Sequence, residues 1–221
     1  IIVAKTKIQR LCALAERSKV IVNVDNLSNV QDLSDSATSN NVIINVVVDI
    51  NTRLDRTGVD PGLNAVELSK FVNKSSGLHF SGLSTYEGTM LATSDEALQS
   101  ESRKWIQQVL DTREDIERQG IHVEVVSVGG TYNYEIAGAM QGVTEVPAGS
   151  YALMDGKYQH NRKQFVNAAR VMACVTSIPE AGKVITDAGR KAIGADSGDP
   201  NIDQLPGASV SGLSAEHGNL V

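Results

Sequence analysis

Apolar residues in this chain fall into short runs separated by stretches of helical period, and the alternation predicts strands and helices in turn. Ile8, Leu11, Ala15 and nearby Leu14 share one face at the 3.6-residue period, which predicts a helix almost at the start. Val20 to Val24 reads as a short strand ending in Asp25-Asn26, and Leu27 to Ser39 as a helix with a polar face. Val42 to Ile50 is dense in Val and Ile, the composition of a strand buried on both sides. After the loop from Asn51 to Gly62, a helix over Leu63 to Asn73 has an apolar face of Val66, Phe71 and Val72, and Leu78 to Leu83 is the next strand. The longest helix is predicted from Ser94 to Gln119, with a Ser-Asp cap at its start and Gly120 past its end. Val123 to Val126 and the segment from Thr144 to Val146 complete the strands, with a short helix from Tyr134 to Met140 between them.

Strands alternating with helices imply a parallel sheet. About five strands can be counted where a closed barrel has eight. The predicted fold class is therefore α/β: an incomplete (β/α)8 TIM barrel whose remaining units are expected upstream of Ile1. From Val166 the pattern changes. Val171 to Ile178, a Pro179-Glu180-Ala181-Gly182 turn and Lys183 to Thr186 read as a hairpin. The stretches 196–200 and Leu205 to Leu213, rich in Gly, Ser and Pro, read as loop and sheet edge. The expected domains are a partial barrel over residues 1–163 and the beginning of a C-terminal β-domain over residues 164–221. The chain opens Ile1-Ile2-Val3 without Met, so either a processed N-terminus or an internal fragment is expected.

Composition narrows the function classes. With 41% hydrophobic residues in 221, the chain can bury a substantial core. A net charge of -6 with no basic cluster argues against nucleic acid as a partner. No run reaches the roughly 20 apolar residues of a membrane-spanning helix, so no membrane partner is expected. Cys12 and Cys174 are too few and too far apart for a disulfide framework, which makes a reducing cytoplasm the expected location and buried, inert thiols the expected state of both.

The candidate chemistry lies in loops after the strands, where a barrel builds its site. Ser127-Val128-Gly129-Gly130-Thr131 follows an apolar strand and precedes a helix, an arrangement whose backbone N–H groups can hold a phosphate. Gly149-Ser150-Tyr151 is a second small-residue turn after the next apolar segment. Two such loops in succession match the phosphate site of a β/α barrel, although a Gly-Gly pair also serves in an ordinary tight turn. Arg56 reads either as a fixed cation for an anionic oxygen or as a solvated loop charge. Tyr86, at a strand end, reads either as a ligand contact or as a packing residue.

Taken in order, Asn51-Thr52 to Arg56-Thr57-Gly58-Val59, Gly82-Leu83-Ser84-Thr85-Tyr86-Glu87-Gly88, Ser127 to Thr131, and Ala148-Gly149-Ser150-Tyr151-Ala152-Leu153-Met154-Asp155 resemble successive motifs of the D-threonine aldolase and D-serine dehydratase family. Val184-Ile185-Thr186-Asp187-Ala188-Gly189 and Gly212-Leu213-Ser214-Ala215-Glu216-His217-Gly218 continue the resemblance over nearly the whole chain. That family stands with alanine racemase among the fold-type III pyridoxal phosphate enzymes.

The resemblance implies a pyridoxal phosphate-dependent lyase acting on a β-hydroxy D-amino acid, by retro-aldol cleavage to glycine and an aldehyde. D-serine dehydratase-like β-elimination to ammonia and a keto acid, a non-catalytic pyridoxal phosphate carrier, and a barrel for another phosphorylated ligand are the alternatives. Arg56 matches the residue at the cofactor's phenolic oxygen and Tyr86 a residue against its pyridine ring. Ser127, Gly129, Gly130 and Thr131, with Gly149, Ser150 and Tyr151, match the phosphate loops. Pro147 stands where alanine racemases carry an arginine facing the pyridine nitrogen, a departure from a racemase-type setting. The cofactor lysine is expected upstream of Ile1, since Lys5, Lys7 and Lys191 are poor matches. Ligands for a divalent metal, manganese or zinc, are expected beyond Val221, with Glu216 and His217 as weak local candidates. The intact parent is expected to be a homodimer, and this chain by itself to be inactive.

Overall fold

Hydrophobic strands organise the first half of the molecule. In the computed structural model, which describes residues 1–88, 94–196 and 198–221, helix α1 (Lys5–Ala15) leads into β1 (Ile21–Val24), α2 (Leu27–Ser39), β2 (Ile44–Asp49), α3 (Leu63–Lys74) and β3 (Leu78–Ser84). Helix α4 (Asp95–Glu117), β4 (Val125–Ser127) and the short α5 (Tyr134–Gly138) follow. The strands pair in parallel in the order β1-β2-β3-β4. Consecutive strands that are also neighbours, each reached through a helix, are the progression of a β/α barrel wall.

The elements form where their residue patterns predict. Asn26 caps α2 by accepting the Asn29 N–H at 2.9 Å, and Ser94 caps α4 by accepting the Ala97 N–H at 3.1 Å. Ile44, Val46 and Val48 of β2 are fully buried. They join one core with Ile8 of α1, Leu33 of α2, Val72 of α3 and Ile106 of α4. A bulge interrupts β3: Val46 pairs with Phe80 but Val47 with Gly82, so Ser81 is the extra residue. Gly82 allows β4 to close on this bulge. Its φ is 151°, and a Cβ there would stand 1.9 Å from the Val125 carbonyl oxygen.

The strand predicted near Thr144 to Val146 is reduced to a single parallel bridge, Ser127 to Glu145, so the sheet has four strands rather than about five. The reason lies in the pairing itself. Val128 N–H donates to the Glu145 carbonyl at 3.1 Å, and the next rung would need an N–H at residue 147 to reach back to Val128. Pro147 has none.

Contacts divide the chain into Ile1–Ala148 and Gly149–Val221. The second unit begins with a 3-10 turn over Ser150–Ala152, where a small-residue turn is predicted, and the short helix α6 (Gly156–Asn161), which is not predicted. Its sheet contains β5 (Val175–Glu180), β6 (Lys183–Thr186), β7 (Val210–Leu213) and β8 (Gly218–Leu220), antiparallel in the order β5-β6-β8-β7. The predicted hairpin is present, with a tighter turn: β5 runs on through Pro179 and Glu180, and Ala181-Gly182 makes the reversal with Gly182 at φ 81°. The loop-and-edge stretch from Leu205 ends in β7, an edge strand; β8 is too short to read from the sequence. Ser197, within the predicted loop 196–200, lies outside the described residues.

Cys12 is buried in the first unit as expected, and burial raises its thiol pKa. Cys174 is exposed, contrary to expectation; it precedes β5, every residue of which is exposed. Among the described residues no helix is long and apolar enough to cross a membrane.

Candidate functional site

The carboxyl ends of the first three strands open on a cavity of about 420 Å³, with Asn23 of β1, Asp49 of β2, Ser84 of β3 and Pro147 in its wall. This is the end of the sheet at which a β/α barrel builds its site.

The loop after β2 carries Arg56 into that wall. Its base is closed by backbone bonds, Asn51 N–H to the Val59 carbonyl at 2.8 Å and Val59 N–H to the Asp49 carbonyl at 3.0 Å. Two carboxylates hold its far side: Thr57 donates its hydroxyl to Asp49 at 2.7 Å, and Gly58 donates its N–H to Asp25 at 3.3 Å. Gly58, at φ 102°, has no space for a side chain, since a Cβ would lie 2.5 Å from the Asn51 nitrogen. The loop is thus held on both sides of Arg56. The Arg56 guanidinium stands 5.6 Å from the centre of the Tyr86 ring, within cation–π range.

Tyr86 follows Thr85, whose hydroxyl donates to the Ile50 carbonyl at 2.7 Å and ties the ends of β2 and β3 together. Its ring lies against Gly130, where a Cβ would stand 3.3 Å from Tyr86 Cε2. Arg56, Tyr86 and Gly130 therefore form one continuous surface drawn from three loops.

The glycine turn is held from inside. Gly129 donates its N–H to the Glu87 carboxylate at 3.3 Å, and Gly130 donates its N–H to Asn133 Oδ1 at 3.0 Å. Asn133 in turn donates from Nδ2 to Glu87 and, at 3.2 Å, to the Ser102 hydroxyl. Ser127 donates its hydroxyl to Glu145 at 2.7 Å. The N–H groups that the motif offers to a phosphate are thus directed to the protein's own acceptors, while Thr131 is buried beside them. Gly149, Ser150 and Tyr151 open the second unit, in which the Tyr151 ring packs on Phe165 with centroids 5.9 Å apart.

Asp49, Glu87 and Asn133 support the candidate site and are not among the site residues read from the sequence. Asp49 has a visible signal, a carboxylate inside a Val-rich strand. Glu87 and Asn133 have none, because their role depends on a contact between segments 46 residues apart. Burial raises the Asp49 pKa, with the Thr57 bond offsetting part of the shift and Asp25 adding to it. Burial also raises the Glu87 pKa, against the opposing bonds from its own backbone, Asn133 and Gly129.

Lys5 and Lys7 lie exposed on α1, and Lys191 pairs with Glu216 in the second unit. His217 closes a turn in which its carbonyl accepts the Ser214 N–H at 2.9 Å.

Residues 1–156 match the family model of the alanine racemase N-terminal domain, and residues 168–221 that of a putative serine dehydratase domain. The chain is 31% identical over 222 residues to a D-threonine aldolase of Arthrobacter sp., covering 98% of this chain and 59% of that protein. It is 30% identical over 223 residues to a 3-hydroxy-D-aspartate aldolase of Paracoccus denitrificans (strain Pd 1222), covering 96% and 58%. The crystal structure of D-threonine aldolase from Filomicrobium marinum matches with a TM-score of 0.95 at 32% identity, over 100% of this chain and 61% of that one. The chain thus spans less than two thirds of the length of each of these relatives. These matches bear out the resemblance read from the motifs.

Proposed function

This chain belongs to the family of the alanine racemase N-terminal domain, and on that premise we propose that it forms the pyridoxal phosphate-binding part of a lyase for β-hydroxy D-amino acids. The reaction proposed is D-threonine aldolase-like: the bond between the α and β carbons breaks, leaving glycine and an aldehyde. The observation that carries this reading is the contiguity of Arg56, the Tyr86 ring and Gly130 beside a cavity at the strand ends. A fixed cation, a flat ring and a position with no side chain suit a planar aromatic ligand bearing an anionic oxygen.

In this reading Arg56 holds the cofactor's phenolic oxygen, and Tyr86 lies against the pyridine ring. Thr131 binds the phosphate, and Ser127, Gly129 and Gly130 shape the turn that carries it. Gly149, Ser150 and Tyr151 belong to the same phosphate set on the strength of their motif. Pro147, in the cavity wall, offers no donor to a pyridine nitrogen. Bound pyridoxal phosphate would supply an electron sink for the pair released from the substrate bond. Manganese or zinc belongs to the reading of the whole enzyme. Among the described residues no group of three His, Cys, Asp or Glu side chains is placed to hold such an ion, so it is assigned to no residue of this chain. The whole enzyme is proposed to work as a homodimer in the cytoplasm, on a small-molecule substrate.

A second reading, β-elimination to ammonia and a keto acid, is favoured by the match of residues 168–221 to a putative serine dehydratase domain. The enzyme containing this chain, given pyridoxal phosphate and a divalent metal, is expected to release acetaldehyde and glycine from D-threonine. Keto acid and ammonia in their place would establish the second reading, and neither product from D-threonine, D-serine or 3-hydroxy-D-aspartate would refute the lyase assignment.

A further inference from the structure

Glu87 is fully buried, yet it does not line the cavity described above, and among the described residues it takes part in no ion pair. Its partners are donors. Gly129 N–H reaches one carboxylate oxygen at 3.3 Å and Asn133 Nδ2 reaches the other. Asn133 passes the connection on by accepting the Gly130 N–H at 3.0 Å and donating to Ser102 of α4 at 3.2 Å. Glu87 thereby fills the concave side of the Gly129-Gly130 turn with an internal anion, in the manner in which backbone N–H groups receive an external one. It is also the residue after Tyr86, whose ring rests on Gly130.

From this geometry we infer that Glu87 is a positioning residue, locking the glycine turn and the Tyr86 ring into one rigid surface on which the cofactor's phosphate end is bound. This rests on the pyridoxal phosphate reading only for the identity of the ligand. The alternative roles of a buried carboxylate are weaker here. It does not reach the cavity as a proton donor, and as simple core filling a carboxylate with two cross-loop partners is costly compared with an apolar side chain. What it supplies is a fixed direction for the Gly129 N–H and, through Asn133, for the Gly130 N–H. Gly129 sits at φ 81°, and a Cβ there would meet Ala137 Cβ at 2.9 Å, so the turn that Glu87 holds requires glycine at this position.

The network is reciprocal, which makes it testable. Glu87→Gln sets an amide NH2 against a donor, either Asn133 Nδ2 or Gly129 N–H. The double substitution Glu87→Gln with Asn133→Asp restores complementarity. The introduced amide would accept from Gly129 and donate to the introduced carboxylate, which would still accept from Gly130 and from a rotated Ser102 hydroxyl. Two readouts on the enzyme containing this chain are needed: amide hydrogen exchange at Gly129 and Gly130, and the dissociation constants of pyridoxal phosphate and unphosphorylated pyridoxal.

Glu87→Gln is expected to speed exchange at both glycines about tenfold and to weaken pyridoxal phosphate about tenfold. Pyridoxal binding is expected to change less than about twofold, and the double variant to recover both exchange and affinity. Unchanged exchange in Glu87→Gln, equal weakening of the two ligands, or no recovery in the double variant would each overturn the inference. If Glu87→Gln does not fold, the double variant decides alone: native exchange and affinity support the network, and their loss overturns it. Wild-type enzyme containing this chain that prefers pyridoxal phosphate no more than pyridoxal would defeat the cofactor reading, while the exchange arm would still decide whether Glu87 holds the turn.

Discussion

Two loops make the candidate site, and they are built on opposite plans. The loop after β2 is held by backbone bonds and by Asp25 and Asp49, and it delivers a charged side chain, Arg56, to the cavity wall. The turn after β4 delivers almost no side chain, and its Glu87 and Asn133 partners engage its backbone from within. Each is organised by a buried carboxylate whose pKa burial raises. The difference teaches where binding energy and precision come from. In the proposed site the first loop would contribute an electrostatic contact, and the second a shape that depends on nothing protruding from it.

The contrast is sharpest under substitution. Arg56→Ala should have the largest effect on ligand binding, lowering pyridoxal phosphate affinity about 100-fold with unfolding temperature little changed, because a charge-assisted contact is lost and no core is opened. Titration by fluorescence, alongside a melting curve, checks both halves; a loss of less than about threefold would mean that Arg56 is a solvated charge. Gly129→Ala should do the reverse in kind. A Cβ at φ 81° and 2.9 Å from Ala137 Cβ strains the turn, and the expected cost is about 2 kcal/mol, or about 6 °C in Tm. An alanine variant as stable as wild type would show that the turn can relax, and would weaken the contrast.

The smallest expected effect concerns pH at Asp49. Because burial raises its folded-state pKa above the unfolded value, the folded chain binds this proton more tightly. The stability this contributes is complete below the unfolded pKa and is lost as pH rises through the folded one. Asp49→Asn, which keeps an acceptor for Thr57, should therefore gain in Tm relative to wild type as pH rises from about 4 to about 7. A Tm difference that is constant across that range would show that Asp49 does not titrate differently on folding.

The two units differ in a related way. β2 is buried along nearly its whole length, whereas every residue of β5 is exposed, with Ile178 67% accessible. A Val-rich run flanked by helical patterns can be read because it hides both faces locally, within its own βα neighbourhood. The antiparallel strands are legible mainly through their turn chemistry, as at Ala181-Gly182, and β8 has neither length nor a turn signal to mark it.

The order of strands and helices from α1 to β4, the capped start of α4 and the loops bearing Arg56, Tyr86 and the glycine pair were determined by local periodicity and by residues whose chemistry is local: Asn26 and Ser94 as caps, and Gly120 past the end of α4. Four matters were decided only by the tertiary structure. The segment at Glu145 stopped at one bridge because the missing N–H of Pro147 matters only once a neighbouring strand is in place. Arg56, Tyr86 and Gly130 became one surface through the bulge and ties that bring three strand ends together. The direction of the Gly129 and Gly130 N–H groups was set by Asn133 and by Glu87, far away in the chain. Cys174 was left exposed beside an exposed strand. Local propensity reports what a segment can form, whereas hydrogen-bond partners and burial belong to pairs of segments and exist only after the chain has folded.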